Sequence, residues 1–250
     1  MKKLVLAASM LAFGTAAASA ADLAPRYYSK APPPVVAPIY NWGGFYVGVN
    51  GGWGSSHNCW TNTAVFAVPV FALGEGCHNS TGGTVGGQVG YRWQAGNWVF
   101  GLEAQGNWAD FSGSNPSLVF AGVTNRTRID AFGLFTGQVG YAWNNALLYV
   151  KGGAAVTDNR YSILTTAGGA LIASTDETRW GGTIGAGFEY GFAPNWSVGV
   201  EYDHLFMGSS TNNFVGIGGG FAGSDNIKQD ADLFTARVNY HFGGPIVARY

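Results

Sequence analysis

The stretch Gly87-Gln88-Val89-Gly90-Tyr91-Arg92-Trp93 returns as Gly137-Gln138-Val139-Gly140-Tyr141-Ala142-Trp143, with six of seven positions unchanged. A looser copy is Gly185-Ala186-Gly187-Phe188-Glu189-Tyr190, and the last is Ala236-Arg237-Val238-Asn239-Tyr240. Tyr91, Tyr141, Tyr190 and Tyr240 are thus spaced by 50, 49 and 50 residues. Inside each copy, apolar residues alternate with small or polar ones, the period of a β-strand. A repeat of this length suggests a recurring β-hairpin.

The start of the chain bears on where those hairpins stand. Residues 1–20 read as a secretory signal: Lys2 and Lys3, a short apolar run, then the small-residue cleavage site Ala18-Ser19-Ala20. Residues 21–41 hold Pro25, Pro32, Pro33, Pro34 and Pro38, which suits an extended periplasmic tether. Arg26 and Lys30 offer weak contacts to the cell wall, although a spacer explains the segment more simply. A β-domain is expected over 42–242 and a tail over 243–250. Formal net charge is −1, so no basic surface points to nucleic acid.

Forty glycines, 15% aromatic and 11% charged residues do not describe an ordinary soluble domain, where roughly a quarter are charged. No later apolar run is long enough for a transmembrane helix. A soluble β-sandwich would also alternate, but aromatic spacing favours lipid. Trp98 to Trp108, Trp180 to Tyr190 and Trp196 to Phe206 each place aromatics ten residues apart on one strand face. Ten tilted residues cover about 25 Å, the height of an outer-membrane apolar band.

The chain therefore predicts an all-β fold: an eight-stranded antiparallel transmembrane β-barrel with short periplasmic turns and four long outer loops. Strands are expected near 44–53, 84–93, 98–108, 128–143, 147–157, 178–190, 196–207 and 231–242. The long connections would be 54–83, 109–127, 158–177 and 208–230. Their apolar patches read more simply as hairpin extensions than as partner sites. Outer-membrane lipids are the expected surroundings, with surface partners reached through the loops. Tyr91, Trp93, Trp98, Tyr141, Trp143, Tyr190, Trp196 and Tyr240 should form the lower aromatic girdle.

Cys59 and Cys77 are the only cysteines, and an exported chain should join them in a disulfide. With His57 and His78 they also compose a possible zinc set, disfavoured by the spacing and by an oxidising compartment. Alternation sends Arg92, Glu103, Asp130, Lys151, Arg179, Glu189, Glu201, Asp203 and Arg237 inward. In an eight-stranded barrel these should interlock as ion pairs that plug the lumen, rather than line a channel for ions or small solutes. Glu201 and Asp203 would face the lumen and His204 the headgroups, with no nucleophile set beside them. Neither catalysis nor a cofactor is expected.

Tyr40-Asn41-Trp42-Gly43-Gly44-Phe45-Tyr46-Val47-Gly48, after a proline-rich leader, resembles the opening of RopB-type outer-membrane proteins of alphaproteobacteria. Leu147-Leu148-Tyr149-Val150-Lys151-Gly152-Gly153-Ala154-Ala155 and Val238-Asn239-Tyr240-His241-Phe242 are similar to that family too. The resemblance spans nearly the whole chain. It implies an OmpA/OmpX-like, porin-like barrel of the outer membrane that supports envelope integrity and surface interaction. It carries no catalytic motif; some relatives are described as haem-binding or as pores, but no residue pattern here establishes either, and a surface haem-type receptor or adhesin stands as a further alternative. The tail Gly243 to Tyr250 departs from the usual aromatic ending and leaves open whether Phe242 or Tyr250 is the assembly signal.

Overall fold

The computed structural model describes residues 40–66 and 68–242. The expected signal segment, most of the tether and the C-terminal tail with Tyr250 lie outside the described residues. Eight strands follow one another: β1 (Gly44–Val65), β2 (Val68–Ala95), β3 (Trp98–Pro116), β4 (Val123–Trp143), β5 (Ala146–Thr165), β6 (Leu171–Ala193), β7 (Trp196–Gly216) and β8 (Phe221–His241). All neighbours are antiparallel, and β8 pairs with β1, so the sheet closes on itself. Closure removes both sheet edges, as a strand fold in lipid requires, and the β6–β7 ladder is interrupted toward the outer end, between Ser174 and Gly182.

Three two-residue turns join the strands at one end. Gly96-Asn97 turns at a glycine with φ +61°, and Asn144-Asn145 at an asparagine with φ +52°. Pro194-Asn195 uses a residue whose ring presets the turn dihedral. Both described chain ends lie at this end as well, since Tyr46 pairs with His241. Short turns and chain ends together mark the periplasmic side.

The other end departs from the expected long loops. The connections there are only 66–67, 117–122, 166–170 and 217–220, because the strands run on through most of 54–83, 109–127, 158–177 and 208–230. Strands of 19 to 28 residues reach far beyond the 9–11 or so needed to cross a bilayer. Lying in one continuous ladder, Gly- and Ser-rich segments such as Gly51 to Asn58 satisfy their backbone groups without strong β-propensity.

The outer face is divided by height. Phe45, Val49, Val89, Phe100, Leu102, Phe135, Val150, Ile184, Val200 and Phe234 are exposed and apolar. Trp53, Trp108, Trp180 and Phe206 bound this band above. Higher still the same face turns polar, with His57, Asp110, Arg126, Arg128, Arg160, Asp176 and Asp230. Such a sequence of layers fits hydrocarbon, interface and water in turn.

Leu102→Arg places a charge in the middle of the apolar band and should cost about 2–4 kcal/mol of unfolding free energy in vesicles. Lys228→Ala, above the band, should change it by less than about 0.5 kcal/mol. Denaturant titration of the refolded barrel measures both.

Candidate functional site: the barrel lumen

The lumen is built from the inward alternate positions of every strand. In the first copy of the repeat, Gln88, Gly90 and Arg92 point inward. Gln88 Nε2 donates to Asn239 and its amide oxygen accepts from Asn50, both at 2.7 Å. Gly90 lies opposite Tyr46 in the ladder, and a Cβ there would overlap the Tyr46 ring. Gly187 stands in the same relation to Tyr149. Glycine is required at both positions because the ring lies flat over its backbone.

That placement aims two phenol hydroxyls at two carboxylates. Tyr46 donates to Glu103 at 2.7 Å, and Tyr149 to Glu201 at 2.6 Å. Lys151 reaches both carboxylates, at 3.2 and 2.7 Å, and Arg237 reaches both, at 3.0 and 2.6 Å. Asp203 lies 3.5 Å from Lys151. Just below, Arg92 pairs with Glu189 at 2.8 Å, donates to Gln138 and stacks 4.4 Å from the Tyr46 ring. Ser197, Asn239 and His241 complete the surroundings of Glu189. All the charged groups in this cluster are essentially buried.

Apolar side chains close the space above and below. Phe111, Phe132, Leu134, Leu205, Met207 and Leu233 form a layer above the charges. Below them Tyr40 and Trp42 enter the mouth of the barrel, their rings 4.5 Å apart and each edge-on to His241. Tyr40, which the sequence assigns to the tether, is 6% exposed and packs in the mouth beside Trp42. The proline-rich composition upstream hid this, although a Tyr-Asn-Trp run is a poor spacer and a good apolar wedge.

Two residues expected in the central cluster are elsewhere. Asp130 is not in the lumen: a bulge between Ile129 and Ala131 shifts the alternation, so Asp130 meets Arg128 (2.7 Å) and Arg160 (3.7 Å) on the outer surface. Arg179 is buried inside, but higher up, paired with Glu177 at 2.6 Å and the Ile227 carbonyl at 3.0 Å. The eight girdle aromatics lie on the outer face at the short-turn end, where Trp98 meets Tyr141 and Trp196 meets Tyr240 edge to face.

Cys59 and Cys77 are directly paired across β1 and β2 and joined by a disulfide. The two histidines part company. His57 lies outside near the bridge, whereas His78 turns inward to Asn115 (2.7 Å) and Thr127 (3.0 Å), where burial holds its imidazole below the ordinary value. The four groups do not converge on one point. On the outer face of β7, His204 pairs with Asp232 at 2.7 Å, while Glu201 and Asp203 face the lumen.

Glu103→Ala leaves Lys151 and Arg237 short of a counter-charge and should cost about 3–5 kcal/mol in the same vesicle assay. Gly90→Val drives a side chain into the Tyr46 ring and should cost about 1–3 kcal/mol. Alkylation of the denatured, unreduced protein should find no free thiol, and reduction should expose both cysteines.

Comparison with known proteins places this architecture. Residues 5–242 match the family described as outer membrane protein beta-barrel domain. The 31 kDa outer-membrane immunogenic protein of Brucella melitensis biotype 1 is 30% identical over 256 residues, covering 97% of this chain and 100% of the relative. The 22 kDa outer membrane protein of Rhizobium leguminosarum bv. viciae is 32% identical over 170 residues, 67% of this chain and 65% of the relative. Among solved structures, OprG of Pseudomonas aeruginosa aligns with a TM-score of 0.46 at 11% identity, over 80% of this chain and 97% of OprG. With the family match spanning most of the chain and relatives from alphaproteobacteria, as the RopB-type resemblance implied, this chain belongs to the outer-membrane β-barrel protein family and is a protein of the Gram-negative outer membrane.

Proposed function

We propose that this protein is a closed, non-conducting barrel that strengthens the envelope and carries projecting hairpins for contacts at the cell surface. The observation that supports this reading is the cross-linked charge cluster of Glu103, Lys151, Glu201 and Arg237, roofed by the Phe111–Leu134 apolar layer and floored by Tyr40 and Trp42. An ion crossing this lumen would have to separate buried ion pairs and pass between the packed side chains of the apolar layer. Each step is costly at low dielectric.

The apolar band takes outer-membrane lipids as its partner, and the tether provides a route to the cell wall. The polar strand extensions provide the surface for partners outside the cell. A Brucella relative is named immunogenic, which agrees with hairpins that reach the medium. Catalysis has no part in this reading. His204 and Asp232 are held by each other and by Tyr202 on the outer face, and Glu201 is occupied by Lys151, Arg237 and Tyr149.

Purified protein in a planar bilayer should show no stable openings, while Glu103→Ala, if it refolds, should raise the baseline noise. Long-lived conductance steps from the wild-type protein would favour the porin-like channel and reject the closed barrel.

A further inference from the structure

At the outer end of the barrel, two buried carboxyl groups have no use in closing the lumen. Glu75 of β2 and Asp225 of β8 are 3% and 2% exposed. Among the described residues neither forms a salt bridge. Asn62 donates to Asp225 at 2.8 Å and Asn125 donates to Glu75 at 2.6 Å. This leaves Asn62 Oδ1 and Asn125 Oδ1 buried without a hydrogen-bond partner. Buried carboxylates without a counter-charge and amide oxygens without a donor are both expensive, and each can accept a further hydrogen bond.

Asn62, Glu75 and Asp225 line a cavity of about 190 Å³ between the hairpin tips. Its walls are Val65, Phe66, Phe120, Val123, Ile163 and Ile172. The arrangement is acidic and acceptor-rich on one side and apolar around it. A divalent metal ion would seek about six or more oxygens, which such walls do not supply. An ammonium group brings three N–H donors, one for each of Glu75, Asp225 and the Asn62 oxygen. The cavity has the volume of about six waters, at ~30 Å³ each, enough for a compact organic body.

We propose that this cavity is a binding site for a primary ammonium compound with a small apolar body, its charged head held by Glu75, Asp225 and Asn62. The site is separate from the lumen cluster, so it stands whether or not the barrel conducts. Around Asp225, β2 contributes Glu75, β1 contributes Asn62, and β7 contributes Asn212, which donates to Glu177 of the Glu177–Arg179 pair. Burial, and then the charge of Glu75, push the Asp225 carboxyl up to about 7. The ionised form that attracts an ammonium is therefore lost as pH falls through that value.

Calorimetric titration of the full barrel in detergent, with hexylammonium chloride, hexan-1-ol and calcium chloride as separate probes, tests the assignment. Hexylammonium should bind saturably at about pH 8, and about tenfold more weakly at about pH 5.5, on either side of the Asp225 titration. Hexan-1-ol should bind at least about tenfold more weakly, as should hexylammonium to Asp225→Asn and Glu75→Gln. Retention of the heat-shifted gel mobility shows that these variants are folded. Phe66→Ala, at the exposed rim, should weaken hexylammonium and leave methylammonium unchanged. Equal binding of the alcohol, undiminished binding by both carboxyl variants, no saturable binding, or carboxyl-dependent binding of calcium alone would each overturn the proposal.

Discussion

A barrel of eight strands has an interior too narrow for bulk water, so a charge placed inside must find its counter-charge there. Glu103 and Glu201 are each bound by Lys151 and Arg237, and this four-membered link ties β3, β5, β7 and β8 across the lumen. Arg92 and Glu189 tie β2 to β6 in the same way. The hydrogen-bonded ring of the sheet and this internal cross-bracing depend on each other. Without closure the charges would be solvated by water, and without the charges the ring would enclose an unfilled space.

The glycines of the repeat belong to this bracing. Gly90 and Gly187 give Tyr46 and Tyr149 a flat seat on the neighbouring strand, and the seat sets the height at which each hydroxyl meets its carboxylate. The repeated stretch therefore has two faces with separate tasks. Val89, Tyr91 and Trp93 meet lipid, while Gln88, Gly90 and Arg92 build the lumen. A single strand period serves both, because successive side chains point to opposite faces.

Above the lipid the constraints relax and the interior changes character. Trp60, Tyr161, Phe214 and Ile227 form another apolar layer there, next to hydrogen-bonded Asn58, Ser80, Asn159 and Gln229. The disulfide between Cys59 and Cys77 crosses a hairpin already paired in the ladder, so its restraint acts on the projecting end. Near the tips the filling ends on Glu75 and Asp225, which are hydrogen-bonded to Asn125 and Asn62 but form no salt bridge among the described residues. A surface-exposed end can carry a chemistry that the bracing below cannot spare.

Strand number, closure by an even count, the lipid-facing residues and the compartment were legible in the chain, because the two-residue period and the fifty-residue spacing depend on local geometry alone. Most inward charges followed from the same parity: Arg92, Glu103, Lys151, Glu189, Glu201, Asp203 and Arg237 meet in the lumen. Parity fails where the ladder slips, and the bulge at Ile129–Ala131 carried Asp130 to the outer surface. Strand ends were also invisible, since the Gly- and Ser-rich extensions are held by their neighbours' backbones and not by their own side chains. Tyr40 and Trp42 in the mouth, and the meeting of Asn62, Glu75 and Asp225 at the tips, required the closed tertiary structure. They come from positions up to 163 residues apart, and only closure of β8 onto β1 brings those positions together.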